Sequence, residues 1–168
     1  MGKKPSDGPK ISGREIHRRV VKRLAVYDKL NLLERLAMFL GKAQVLEYGL
    51  KSLLARRYNY SHDDMQRWTL GRTTYELEKS GLRADFIALL KVVLRYRNYV
   101  AHESLVTMAM LSILLKGNIG RLGVKHLESG AYELERVILL HDWCERHDAW
   151  ESSPSLPAPE PMPAQSQQ

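Results

Sequence analysis

The apolar residues of this chain recur every three or four positions, and no stretch shows the strict alternation of a half-buried β-strand. A first helix is predicted over residues 12–27. A longer helix is predicted over residues 32–57, with Asn31 as its N-cap. We expect Gly41 and Gly49 to permit close approach of another helix there. The inward face of this helix is formed by Leu36, Leu40, Ala43, Leu46, Leu50 and Leu53.

The middle of the chain predicts two short helices and one long helix. Residues 61–64 resemble a capping box with Asp64 in place of the usual Glu, and a short helix follows. Another short helix is predicted over residues 72–79. The strongest helical pattern begins at Arg83, and its repeating face consists of Phe86, Ile87, Leu90, Val93, Leu94 and Arg97.

Two further helices are predicted after this point. The first covers residues 105–115, which are rich in Leu and Met, and Gly120 and Gly123 then indicate a loose linker. The last helix is predicted from residue 127 to residue 150. Together these patterns predict an all-α fold, a bundle of about four or five helices.

The two ends of the chain have a different composition from the middle. Residues 1–12 are polar and basic, and residues 152–168 contain five prolines. Such segments cannot bury enough apolar surface to fold, so both are expected to be disordered tails. Residues 13–151 are then a single domain, which is long enough to bury a core.

The chain carries a formal net charge of +7, and most of the excess lies near its start. The first 23 residues contain eight Lys or Arg and two acidic residues, so their net charge is 8 − 2 = +6. One interpretation is a handle for RNA phosphates, and the other is a solvated helix face next to a basic leader. The side chains concerned are those of Arg18, Arg19, Lys22 and Arg23.

The single cysteine, Cys144, excludes an intrachain disulfide framework and indicates a reducing, cytoplasmic location. No Cys and His spacing resembles a zinc site, and neither a metal nor a cofactor is expected. The basic start is not followed by an apolar stretch, so it does not predict a secretory signal. Residues 105–115 are too short to span a bilayer, so no membrane association is expected.

A polar cluster at the end of the apolar run 86–94 is the strongest candidate for chemistry. An Arg and a His five residues apart occur there as Arg97 and His102, but the same spacing occurs three more times. Only this pair has Asn98 directly after the Arg and a strong core helix before it. The other pairs are Arg57/His62, Arg121/His126 and Arg136/His141, of which the second lies in the predicted linker and His141 is expected to be a partly buried packing residue.

The sequence from Arg97 through Asn98 to His102 resembles the Arg-Asn-x-x-x-His signature of HEPN domains, which are small helical bundles common in prokaryotic conflict systems. The segments 39–47 and 69–71 resemble the helices that accompany this signature. The likeness covers roughly residues 32–115. A variant of the family that is paired with nucleotidyltransferase antitoxins has a Tyr two residues after the His, where this chain has Ser104.

The resemblance implies a metal-independent RNA endonuclease that acts as a homodimer, with two such motifs at the interface. It also implies a possible role as the toxin of a toxin–antitoxin or phage-defence system, with a protein antitoxin as partner. His102 would transfer protons, Arg97 would stabilise phosphate charge, and Asn98 would orient His102 or bind a phosphate oxygen. Arg95 would contact the RNA backbone beside them.

Helix geometry leaves two arrangements open. Arg97 and His102 diverge by ~140° on a regular α-helix, whereas Asn98 and His102 share a face. Either the helix loosens around residues 99–100, or Arg97 acts with residues of a second subunit. The alternative to a catalytic role is an ion pair of Arg97 with Glu47 or Glu103 and a helix-capping role for His102.

A second function of a different class is consistent with the same sequence. Some HEPN-like domains keep the helical bundle without catalysis. This chain would then be a helical dimerisation module that binds a partner protein or nucleic acid. The exposure of His102 next to Arg97 distinguishes the two hypotheses.

Overall fold

A computed structural model describes residues 10–104 and 121–151 of the 168-residue chain. These residues form helices and no β-strand, which confirms the all-α class. The helices are α1 (Gly13–Leu24), α2 (Leu32–Tyr58), α3 (His62–Met65), α4 (Leu70–Lys79), α5 (Ala84–Tyr99) and α6 (Arg121–His147). A 3₁₀ turn covers Tyr27–Lys29, and a π turn covers Val100–Ser104 directly after α5.

Helix α6 is the centre of the bundle. Helices α1, α2 and α5 pack against it, and all but two of the residues from Gly130 to Leu140 are buried. Buried positions on every side are typical of a helix surrounded by core rather than of an amphipathic surface helix. Helices α1, α2 and α5 therefore surround α6.

Helices α2 and α6 run parallel, and α5 runs antiparallel to both. Arg35 near the start of α2 lies 3.8 Å from Glu128, and Arg56 near its end lies 2.6 Å from Glu145. By contrast, Phe86 at the start of α5 contacts Trp150 just beyond the end of α6. The C-terminal end of α5 and the N-terminal halves of α2 and α6 thus share one end of the bundle.

Capping side chains explain where several helices begin. Asn31 accepts a hydrogen bond from the backbone of Glu34, and the Glu34 side chain accepts one from the backbone of Asn31. This capping box fixes the start of α2 where the sequence predicted it. Ser12 caps α1 through the Glu15 amide at 3.2 Å. Asn59 ends α2 in the left-handed conformation, with φ of 58°.

Several predicted boundaries are wrong. Helix α1 ends at Leu24, because the chain turns into a 3₁₀ segment at Tyr27 and does not continue the helix. Ser61 precedes α3 but its side chain makes no capping hydrogen bond. Helix α6 begins at Arg121, six residues earlier than the predicted start at residue 127, so Gly123 lies within a helix and not in a loose linker.

The expectations for the two glycines of α2 have different outcomes. A Cβ added at Gly49 would lie 3.4 Å from Nε2 of His141, so close approach is confirmed there. Gly41 has no atom within 4 Å of that position, and the expectation is wrong. The predicted helix over residues 105–115, most of the N-terminal leader and the tail from residue 152 lie outside the described residues.

Candidate functional site

The residues of the Arg-Asn-His motif, Arg97, Asn98 and His102, lie where α5 changes into the π turn. Arg97 and Asn98 occupy the last turn of α5, and Arg97 Nη1 lies 3.4 Å from Asn98 Oδ1. His102 lies within the π turn, and its side chain is exposed. Arg97 is half-buried, and Arg95 one position before Tyr96 is exposed.

The π turn changes the geometric relation between Arg97 and His102. The α-helical hydrogen-bonding pattern ends at Tyr99, so the divergence of ~140° that a regular helix imposes does not apply to His102. The helix does loosen where the first of the two arrangements requires it. Single π turns within helices are frequent at functional sites.

Buried neighbours hold this end of α5 in place. Tyr96 and Val100 flank the Arg-Asn pair, and both are buried. Tyr96 can approach α6 closely because Gly130 has no side chain: an added Cβ would lie 3.1 Å from Tyr96 Cβ. The motif is therefore placed on a rigid support, although its own polar side chains reach the surface.

An aromatic contact from α6 supports the same turn. Tyr99 stacks on His126, with ring centroids 4.3 Å apart and an interplanar angle of 27°. His126 is buried. This residue was assigned to a linker by the sequence pattern and its part in the site was missed. The helical spacing of His126, Leu127, Gly130 and Ala131 was the signal that would have extended α6 toward its true start.

In another Arg and His pair of the same spacing, Arg57 has a structural role. Arg57 binds the carboxylates of Asp148 and Glu151, the second at 2.9 Å. His62 lies in the first turn of the four-residue α3. These contacts tie the end of α2 to the chain beyond α6.

The pair formed by Arg136 and His141 in α6 is mostly buried. Arg136 is buried with Glu133, 3.3 Å from its carboxylate. His141 packs edge-on against Trp150 at 5.4 Å, which confirms it as a partly buried packing histidine. Burial lowers the pKa of His141.

One of the two carboxylates proposed as partners of Arg97, that of Glu47, is engaged elsewhere. Glu47 is buried and its Oε1 lies 2.8 Å from Nζ of Lys51. Lys51 also donates to the carbonyl oxygen of Trp68 at 2.7 Å. Glu47 thus serves to join α2 to the segment before α4.

The basic residues predicted to contact RNA fall into two groups. Arg18 and Arg19 both hold Glu15 on the same helix, and these bonds lower the pKa of the Glu15 carboxyl. Arg23 reaches α6, where its guanidinium lies 3.2 Å from Asp142. Lys22 is exposed, and no carboxylate among the described residues pairs with it.

Neither the cysteine nor a metal cluster offers an alternative site in the described part of the chain. Cys144 is buried, and burial raises the pKa of its thiol to about 11, so the nucleophilic thiolate is scarce at neutral pH. Residues 10–104 and 121–151 contain no group of three or more His, Cys, Asp or Glu side chains suited to a metal. Every helix in these ranges is too short or too polar to span a lipid bilayer.

Comparison with known proteins adds no assignment. The chain matches no family model, no curated protein and no solved structure.

Proposed function

We propose that this protein is a metal-independent RNA endonuclease of the HEPN type that works as a homodimer. One observation carries the proposal: an Arg-Asn pair at the end of a core helix is followed by an exposed His in a π turn. The buried side chains of Tyr96 and Val100 attach this turn to the core. Polar, exposed side chains on a rigid base are what a catalytic site requires.

The chemistry follows from the residue types. Histidine is the side chain that gains and loses protons near neutral pH. His102 accepts the proton of a ribose 2′-hydroxyl as its oxygen bonds to the adjacent phosphorus. The bond from phosphorus to the 5′-oxygen breaks, and that oxygen takes up a proton. The products are a 2′,3′-cyclic phosphate and a 5′-hydroxyl end.

Arg97 and Asn98 stabilise the phosphate during this step. The planar guanidinium of Arg97 offers several donors to the equatorial phosphate oxygens, on which negative charge accumulates. The bond between Arg97 and Asn98 orients the two side chains with respect to each other. Asn98 is exposed and so is available to a phosphate oxygen or to His102.

The outward face of α2 supports the homodimer. The most exposed residues of α2 between positions 37 and 48 are uncharged, and they are Ala37, Gly41, Gln44, Val45 and Tyr48. Val45 and Tyr48 are 71 % and 70 % exposed. Two copies of a chain with a net charge of +7 repel each other least where they meet on an uncharged surface. A second copy is therefore the occupant that we assign to this α2 outer face.

The direction of α2 agrees with paired active sites. Phe39 in the first half of α2 lies beside Gly130, as Tyr96 of α5 does. A two-fold axis along α2 would therefore place the π turns of both copies at the same end of the dimer.

The test is cleavage of RNA by the purified protein in EDTA. Wild type is expected to produce fragments with 2′,3′-cyclic phosphate ends, and Arg97→Ala and His102→Ala are expected to lose activity by about 10²-fold or more. Arg67→Ala, which removes an exposed cation before α4, is the control and should cut as wild type does. Equal cleavage by all four proteins, or RNA binding without cleavage by wild type, would contradict the proposal.

A further inference from the structure

A basic groove between α1 and α6 is separate from the Arg-Asn-His motif. It encloses about 320 Å³ and is lined by four cationic and two apolar side chains, with no carboxylate in its wall. Its lining residues are Arg19, Lys22, Arg23, Leu139, Trp143 and Arg146. We infer that this α1–α6 groove binds the phosphodiester backbone of single-stranded RNA.

Helical spacing explains why these side chains converge. Arg19, Lys22 and Arg23 lie three and four positions apart on one flank of α1. On α6, residues 139, 143 and 146 have the same spacing and form one stripe. The α1 flank faces the α6 stripe, and Arg23 bridges the two helices through Asp142.

The positive charge of the groove is only partly neutralised. Glu15 holds Arg19, and Asp142 holds Arg23, so these two guanidiniums are fixed in position. Arg146 donates through Nε to the carbonyl oxygen of Asp142 at 3.3 Å, which involves no opposing charge. Lys22 and Arg146 are both exposed, and neither forms an ion pair with a described carboxylate. About two positive charges are therefore available to a polyanion.

The floor of the groove selects a particular kind of anion. Leu139 and Trp143 line the groove with the cations, and only a small part of each apolar side chain is accessible, 4 % and 8 % respectively. Grooves that bind single-stranded nucleic acid combine cations that follow the backbone with aromatic surface for bases or sugars. An isolated phosphate ion would use the cations and gain nothing from this floor. The ligand class is thus a phosphodiester chain with its nucleosides.

The groove lies far enough from the motif to act as a second contact. His126 marks the motif end of α6, and Leu139 lies thirteen residues further along this helix. At ~1.5 Å per residue the separation is about 20 Å along the helix axis. An RNA that reaches both sites must span several nucleotides. The ligand identity rests on the proposed function, but the groove can bind RNA whether or not the motif cuts it.

The experiment measures binding of a labelled, fully 2′-O-methylated RNA oligonucleotide by fluorescence anisotropy over a series of salt concentrations. Such RNA lacks the free 2′-hydroxyl and is not cut by the proposed mechanism. Lys22→Ala and Arg146→Ala are each expected to reduce the slope of log K against log salt by ~0.7. The loss of affinity should be similar for different sequences.

The control is Lys79→Ala, which removes an exposed cation at the end of α4. It should leave the slope unchanged, and thermal melting of each variant checks that it is folded. Equal slopes for Lys22→Ala, Lys79→Ala and wild type would overturn the groove assignment. Binding of inorganic phosphate or AMP without binding of the oligonucleotide, or equal competition by a polyglutamate peptide, would also overturn it.

The two proposals fail in different ways. RNA binding that depends on Lys22 and Arg146, without any cleavage of natural RNA, would remove the nuclease proposal and leave the groove. Cleavage that depends on His102, with no effect of the groove variants on binding, would remove the groove proposal and leave the nuclease proposal.

Discussion

Gly130 on α6 lies close to both α5 and α2. A Cβ added there would lie 3.1 Å from Cβ of Tyr96 on α5 and 3.2 Å from the ring of Phe39 on α2. The Tyr96 Cβ is attached directly to its backbone, so α5 and α6 would have to separate. We expect Gly130→Ala to lower the free energy of unfolding by about 1–3 kcal/mol, measured by urea unfolding.

Gly41 provides the matched control on a neighbouring helix. It is exposed within α2, with nothing within 4 Å of the position of a Cβ. Gly41 lies on the α2 outer face, so this variant and Gly130→Ala are compared in the Tyr48→Glu background, which removes self-association. There Gly41→Ala should raise the free energy of unfolding by about 0.5–1 kcal/mol, because alanine restricts the unfolded chain and favours the helix. A Gly130→Ala protein as stable as Gly41→Ala would contradict the close packing of α5 on α6.

His141 gives the fold a dependence on pH. Burial lowers the pKa of His141 in the folded protein, against the attraction of Glu145 and Asp142, and Arg56 also lowers it. Below the ordinary histidine pKa of about 6.5 the unfolded chain binds a proton that the folded chain does not. Stability is therefore expected to fall as the pH decreases from 6.5 toward the lowered pKa, by at most about 1.4 kcal/mol per pH unit.

Comparison of two histidine variants separates the effect of His141 on the pH dependence of stability from the effects of other groups. Urea unfolding of His141→Gln between pH 5 and pH 8 should show a smaller decrease of stability on acidification than wild type. His62→Gln changes an exposed histidine and is the control. The same pH profile in His141→Gln as in wild type would exclude His141 as the source.

At the scale of elements, helices with local signals were predicted well. Asn31 and Glu34 form a capping box within four residues, so the start of α2 is encoded in adjacent sequence. The start of α6 is not encoded in adjacent sequence. Its first turns lie before Leu127 and depend on packing of His126 against Tyr99, which is 27 positions away in the chain. Tertiary contacts of this kind override weak local propensity.

Arg83 joins the start of α5 to the end of α6. Its Nε and Nη2 bind Asp85 at 2.7 and 2.8 Å, and its Nη1 donates to the carbonyl of Ala149 at 2.6 Å. The side chain is buried, so the loss of these charge-assisted bonds is not replaced by water. We expect Arg83→Met to lower the free energy of unfolding by about 2 kcal/mol, measured by urea unfolding.

An exposed ion pair on the same helix is the control for this variant. Lys91 binds Glu78 at 2.6 Å, and both side chains are about half exposed. Lys91→Ala should change the free energy of unfolding by less than about 0.5 kcal/mol, because solvent screens the pair. Similar losses in Arg83→Met and Lys91→Ala would show that the Arg83 contacts do not hold α6 in place.

At the scale of the whole molecule, the α2 outer face gives a test of self-association. Tyr48→Glu places a charge at the C-terminal end of this face, where the side chain is 70 % exposed. Wild type is expected to sediment as a dimer and Tyr48→Glu as a folded monomer. Tyr75→Glu changes an exposed aromatic residue on α4 and should remain a dimer.

Other results of this sedimentation experiment have clear meanings. A monomeric wild type would contradict the homodimer. A Tyr48→Glu protein that remains a dimer would contradict the assignment of the α2 outer face to self-association.

The candidate site was only partly accessible from sequence. The order of Arg97, Asn98 and His102 is visible in the chain, and so is the core helix before them. The sequence left two arrangements open, and a departure from α-helical geometry at Val100 was one of them. Sequence alone could not decide between them, because the backbone hydrogen bonds at this turn depend on the residues that pack against it. The α1–α6 groove needed residues more than 100 positions apart to meet, and no periodicity within either helix reveals that.

The Arg83 contacts also determine how the molecule is best attached to a surface. They hold Ala149 and Trp150 at the start of α5, while His102 lies beyond the other end of this 16-residue helix. The two points are about 24 Å apart along the axis. A tether joined after Glu151 would therefore leave the π turn facing the solution. Immobilisation through that side is the orientation in which a sensor surface should obstruct the Arg-Asn-His motif least, whereas the α1–α6 groove lies nearer the point of attachment.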